Sequence, residues 1–157
     1  MGRESDSALD KALELVARRP HFRAELARKL TQRGFAGDEI EAALARLSEL
    51  GYLDDAELAA REAERLRERR GLARAGVAAE LARKGAAAEA VDAALAGEDA
   101  EKELAAALAF AARWRQVHAA DAAALARALS RKGYPGHVIF SVLKDLVPDA
   151  PAGDGVD

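Results

Sequence analysis

Arg61, Arg65 and Arg69 recur every four residues, so on a helix they share one face, with Arg70 and Arg74 close beyond. That spacing suits pairing with phosphates or with a partner's carboxylates. It suits equally well a solvated helix held by weak ion pairs, because Glu57 lies four residues before Arg61 while Glu64 and Glu68 interleave. Further basic residues stand directly before glycines, in Arg83-Lys84, Arg131-Lys132 and Gln32-Arg33, where a cation also complements the C-terminal end of a helix dipole. From Arg61 to Lys84 there are eight basic residues against four acidic ones, a basic stretch inside a chain of formal net charge −3. The candidate contacts to a partner or to DNA are therefore Arg61, Arg65, Arg69, Arg70, Arg74, Arg83, Lys84, Arg131 and Lys132.

Other chemistry is thinly provided. His21, His118 and His137 lie far apart and outside any His-Glu-x-x-His spacing, and read as structural or surface residues. No cysteine is present, which removes disulfides, thiolate nucleophiles and cysteine-based zinc sites together. Glycines stand singly, without the pattern of a phosphate loop. No catalytic residue, metal site or cofactor is expected, and the chain reads as a binding protein rather than an enzyme. Phe110 and Trp114, four apart, admit two readings: a platform for stacking bases, or large side chains packing a core in a chain with only 4% aromatics.

The elements that must carry these residues are set by a repeat. Aligned on Gly34, Gly85 and Gly133, the chain repeats Leu26/Val77/Leu125, Leu30/Leu81/Leu129, Arg33/Lys84/Lys132, Ile40/Val91/Ile139 and Leu44/Leu95/Leu143. The glycines are 51 and 48 residues apart, a period that marks a supersecondary unit copied in tandem. Apolar residues recur at intervals of three and four, so each unit reads as three helices. The fold class is all-α, with three tandem three-helix, helix-turn-helix-like repeats in an elongated, curved array.

Local signals place the boundaries. Ser7 with Asp10, Asp38 with Glu41, and Asp54 with Glu57 are capping pairs three residues apart, while Asp99 and Asp121 open two further helices. Gly34, Gly51, Gly71 and Gly133 end helices and Pro20 follows one. The first helix is expected to bury Leu9, Leu13 and Val16, the second Leu26 and Leu30, and the third Ile40, Ala43, Leu44 and Leu47. The predicted organisation is a flexible N-terminus over 1–7, repeats over 8–53, 54–97 and 98–147, and a disordered tail over 148–157, where Pro148, Pro151, two glycines and three aspartates cannot bury enough surface to order.

Half the residues are hydrophobic, but alanine supplies much of this, which favours thin, closely approaching helices. No apolar run approaches the ~20 residues that span a bilayer, and residues 1–7 carry no apolar signal segment. With no cysteine, a cytoplasmic protein is expected, and a monomer.

Several segments resemble one family, the RecX regulators of the RecA recombinase. Arg23-Ala-Glu-Leu-Ala-Arg-Lys-Leu30 with Gly34-Phe35 is similar to the signature of that family's first module. Leu47-Ser-Glu-Leu-Gly-Tyr-Leu-Asp-Asp55, Arg69-Arg70-Gly71 and Gly133-Tyr134 with Ile139 and Leu143 resemble later segments in the same order. The likeness runs from about Ala8 to Leu146. Phe22 stands where the family commonly has serine, Leu58 where phenylalanine is frequent, and Ala75 and Gly76 where basic residues are common. The resemblance implies a non-enzymatic protein of recombination, DNA repair and the SOS response. It would bind the RecA filament on DNA, touch single-stranded DNA weakly or through that filament, and mostly inhibit ATP hydrolysis, strand exchange and coprotease activity. Left open beside it are a stand-alone helix-turn-helix DNA-binding protein and a general helical-repeat scaffold.

Overall fold

The computed structural model describes residues 7–146. Among them every regular element is an α-helix: α1 (Ala8–Arg18), α2 (Arg23–Gln32), α3 (Gly37–Glu49), α4 (Asp55–Arg70), α5 (Arg74–Lys84), α6 (Ala88–Leu95), α7 (Ala100–Val117), α8 (Ala122–Arg131) and α9 (Gly136–Leu146). The expected all-α fold is what forms. The tail over 148–157 and all of the N-terminal stretch except Ser7 lie outside the described residues.

The capping signals act largely as read. The Ser7 hydroxyl accepts from the Asp10 N–H at 3.1 Å while the Asp10 carboxylate accepts from the Ser7 N–H at 3.2 Å, the reciprocal arrangement of a capping box. Asp54 accepts from the Glu57 N–H, Asp99 from that of Lys102, and Asp121 from those of Ala123 and Ala124. One pair is corrected. Helix α3 begins at Gly37, and it is Glu39, reaching back to the Ala36 N–H at 3.0 Å, that closes its start rather than Asp38 with Glu41. Phe22 gives α2 no side-chain cap and is itself buried; the α2 amide of Arg23 donates instead to Asp55 Oδ1 at 2.9 Å. The adjacent aspartates thus serve two helices, Asp54 its own and Asp55 one that lies 32 residues back.

The glycine stations share one hydrogen-bond pattern. Gly34 N–H donates to the Thr31 carbonyl and Phe35 N–H to that of Leu30; the pairs recur as Gly85 to Ala82 with Ala86 to Leu81, and as Gly133 to Ser130 with Tyr134 to Leu129. This is the Schellman stop, and at Gly133 it requires a left-handed φ of +92°, which a side chain resists. The repeated leucine, basic residue and glycine are therefore a helix stop written three times.

The chain divides into two compact units, Met1–Glu64 with Ala78–Ala96, and Arg65–Val77 with Gly97–Asp157. In the first, α1, α2 and α3 pack pairwise around Leu15, Leu26, Leu30, Ile40, Leu44, Leu47 and Leu53. The face of α1 is wider than the sequence suggested. Ala8, Ala12 and Leu15 are its buried residues, while Leu9, Leu13 and Val16 flank them half-buried. In the second unit, α7, α8 and α9 enclose Ala107, Ala111, Leu125, Leu129, Tyr134, Val138 and Val142. Burying each such leucine stabilises by roughly 1.5–3 kcal/mol, and the alanines let the helix backbones approach.

Each unit also contains the same joint. In the first, the Gly85 turn at the end of α5 sits on the start of α2, so close that a Cβ at Gly85 would lie 3.2 Å from the Glu25 nitrogen. In the second, the Gly133 turn after α8 sits on the start of α5, where a Cβ at Gly133 would lie 2.7 Å from the Gly76 nitrogen and one at Gly76 2.5 Å from the Lys132 carbonyl oxygen. Glu25 and Gly76 each precede the turn glycine of their own repeat by nine residues. The chain joins successive repeats in one register. Ala73 N–H donating to Lys132 O at 2.9 Å and the buried Tyr134 hydroxyl donating to Gly71 O at 3.2 Å lock the second joint.

Candidate functional site

The candidate cations fall into two classes once their neighbours are known. Arg83 donates to Glu80 at 2.8 Å, Lys84 pairs with half-buried Glu62, and Arg61 Nη1 stands 4.0 Å from Glu57 Oε1. The last pair is exposed on both sides and of little energetic value. Arg61 also rims a cavity of about 210 Å³ in the first unit, with Val16, His21, Tyr52 and Leu58. Arg65, Arg70 and Arg74 likewise interact within the protein. Arg33 donates to the Lys29 carbonyl at 2.9 Å, the helix-end role that the basic-glycine stations suggested.

Arg69, Arg131 and Lys132 differ. No carboxylate among the described residues pairs with any of them. Arg69 and Lys132 come together in the second unit around a cavity of about 290 Å³ at the end of α4 and of α7, lined by Glu68, Arg69, Arg70, Gly71, Phe110, Arg113, Trp114, Val117, His118 and Lys132. Arg131 is exposed and lies outside this lining.

Three aromatic rings border the cavity. The rings of Trp114 and His118 stack with centroids 4.3 Å apart and planes 5° from parallel, and His118 is held there by a 2.9 Å hydrogen bond between its Nδ1 and the Trp114 carbonyl. Lys132 Nζ lies 5.8 Å from the centre of Phe110, within cation–π range. Phe110 lies over Gly71, where a Cβ would come within 2.9 Å of the ring. Both aromatic readings have structural support: Phe110 and Trp114 pack against the core of α7, α8 and α9 and also border the cavity. The sequence reading passed over Arg113 and gave His118 no part, although Phe110, Trp114 and His118 follow at four-residue intervals along α7 and its C-cap.

The remaining charge cluster is closed. Glu25, almost wholly buried, accepts from Arg19 and pairs with Lys29 at 3.0 Å. Burial raises its carboxyl, but the hydrogen bonds from Arg19 and Lys29 outweigh that and hold it at about 2. Lys29 Nζ lies 2.8 Å from His21 Nε2 and the Arg19 carbonyl 2.9 Å from Nδ1. Because a lysine ammonium only donates, Nε2 accepts and Nδ1–H donates, which fixes a neutral imidazole. Burial, with the adjoining cations, pushes the His21 pKa down. His137 is exposed on α9, and no group of three or more metal-ligating side chains occurs among the described residues.

Comparison with known proteins assigns the architecture. Residues 8–47, which span α1, α2 and most of α3, match the family described as RecX, first three-helix domain. The regulatory protein RecX of Chlorobaculum tepidum is 54% identical over 52 residues, covering 33% of this chain and 32% of that protein. That of Stenotrophomonas maltophilia strain R551-3 is 44% identical over 73 residues, covering 46% and 44%. The chain thus spans about a third to under a half of the length of these curated relatives. The crystal structure of RecX from Lactobacillus salivarius superposes with a TM-score of 0.74 over 88% of this chain and 94% of that one, at 17% identity. A second crystal structure, of regulatory protein RecX, gives 0.70 over 88% and 70%, at 20% identity. No helix among the described residues is long and apolar enough to cross a membrane. The resemblance to the RecX family is borne out: residues 8–47 match that family's first three-helix domain, and the chain carries the fold of the RecX crystal structures.

Proposed function

We propose that this chain regulates a RecA recombinase, binding its filament on DNA and modulating, mostly inhibiting, its ATPase, strand-exchange and coprotease activities. The observation that carries the reading is the match of residues 8–47 to the RecX first three-helix domain. The tandem repeats support it physically. Modules over 8–53, 54–97 and 98–147 offer several weak contacts on one chain, and linking weak contacts raises avidity through effective concentration. Faces of mixed charge suit a target presenting both protein and phosphate, since complementary charge sets register and association rate. In this reading the protein acts by binding, as a cytoplasmic monomer without cofactor, and makes or breaks no bond.

The test is RecA-catalysed ATP hydrolysis on single-stranded DNA with the protein titrated in, alongside cosedimentation with the filament. Dose-dependent loss of hydrolysis with cosedimentation supports the proposal. Unchanged hydrolysis and no cosedimentation at any concentration would defeat it. Tight, site-selective binding to duplex DNA without recombinase would favour the helix-turn-helix alternative instead.

A further inference from the structure

We infer that the cavity at the joined ends of α4 and α7 is a seat for one unstacked nucleotide of single-stranded nucleic acid, its base against the Trp114–His118 stack and its flanking phosphates against Arg69, Arg113 and Lys132. The inference refines the nucleic-acid half of the proposed function but needs no recombinase. Three observations converge on it. Trp114 and His118, stacked face to face at 4.3 Å, both border the cavity, and every base has a π-face with which it can extend such a stack. Three cations around the cavity have no carboxylate partner among the described residues, whereas Lys84, Arg67 and Arg83 elsewhere on the chain are neutralised by Glu62, Glu98 and Glu80. Val117, 77% exposed at the rim, leaves the mouth open to a strand rather than closing it over a small molecule.

The arrangement also discriminates among anions. A duplex hides its base faces, so it would meet the cations but not the indole. A carboxylate or a bare phosphate has no ring to stack. The ligand that uses both features is a base with a phosphate on either side, as a single strand presents it.

Trp114 is the chain's sole tryptophan, so intrinsic fluorescence reports this cavity directly. The full chain would be titrated at low salt with an oligodeoxythymidine of about 15 nucleotides, within the usual span for single-strand binding folds, with a labelled strand followed by anisotropy in parallel. The expected result is saturable quenching that matches the anisotropy isotherm, with a duplex of equal length quenching far less. Trp114→Ala should weaken single-strand binding roughly tenfold and Trp114→Phe by less, the range for loss of one stacked base. Because Trp114 also contacts core residues, a second variant acts from the surface: Arg113→Ala with Lys132→Ala should lower the slope of log affinity against log salt by about 1.4, two single-strand phosphates at ~0.7 each. The inference is overturned by strand binding that leaves Trp114 emission unchanged, by equal quenching with duplex or inorganic polyphosphate, by an unaltered salt slope in the double variant, or by no binding. None of these outcomes touches the ATPase test, and failure of that test leaves this one standing.

Discussion

The two joints between repeats share a register and differ in chemistry. At the first, the Gly85 turn meets the backbone of Glu25, whose carboxylate is enclosed by Arg19 and Lys29 with His21 beside them. At the second, the Gly133 turn meets Gly76, glycine on glycine, and the neighbouring cations and aromatic rings border an open cavity. One joint spends its charge on itself. The other leaves its cations beside an open cavity, and the difference shows how a repeat can keep one packing scheme while enclosing its charge in one copy and leaving it unpaired with carboxylate in the next.

The comparison can be broken most severely at the shared leucines. Leu30→Ala and Leu129→Ala remove equivalent residues, both fully buried, and each should cost about 2–5 kcal/mol by urea denaturation; an unchanged melt for either would deny its place in a core. Acid should act next, on the first joint. Glu25 titrates at about 2 in the fold against an ordinary 4.5, so its stabilisation is complete above 4.5 and lost as pH falls toward 2, roughly 3 kcal/mol at most. His21 is held below its ordinary 6.5, and its contribution is likewise full above 6.5 and lost on acidification. Melting at pH 7, 5 and 3 should therefore fall stepwise, and Glu25→Gln should flatten the drop between 5 and 3.

Gly76→Ala sharpens the second joint. Alanine in an ordinary helix interior is favoured over glycine by about 1 kcal/mol, but here its Cβ would strike the Lys132 carbonyl, so the sign reverses to a loss of about 1–3 kcal/mol. A stabilised variant would mean that this approach is looser than described. Smallest of all is the stability change from reversing Arg61, Arg65 and Arg69 together, about 0.5 kcal/mol or less per exposed site. The same variant should bind the recombinase filament markedly less in cosedimentation. Normal binding would reduce that stripe to a solvated face.

What the sequence disclosed and what it hid follow from range. Ser7 with Asp10 and the glycine stops act within a few residues, so residue type and spacing sufficed for them. The α2 cap did not, because Asp55 comes from 32 residues away and nothing local to Phe22 points to it. Likewise the arginine stripe was readable as a helix face, yet which cations are neutralised depends on carboxylates from other elements, such as Glu98 on Arg67. Gly76, where the resembling family commonly carries a basic residue, looked like missing charge. It is instead the residue whose lack of a side chain admits the Gly133 turn. Trp114 admitted a stacking reading and a core reading, and helical periodicity alone does not reveal that a residue packed against the core also borders a cavity.

The nine-residue offset behind both joints has a consequence for how such a chain can grow. Each turn docks on the backbone nine residues before the preceding turn glycine, but the residue there differs, Glu25 at one joint and Gly76 at the other, so duplicating the stretch from one turn glycine to the next would create a new pairing of turn and seat rather than copy an existing one. A fourth copy added after Gly133 would seat its turn at Ala124, a residue with a side chain as at Glu25, and not on a glycine as at Gly76.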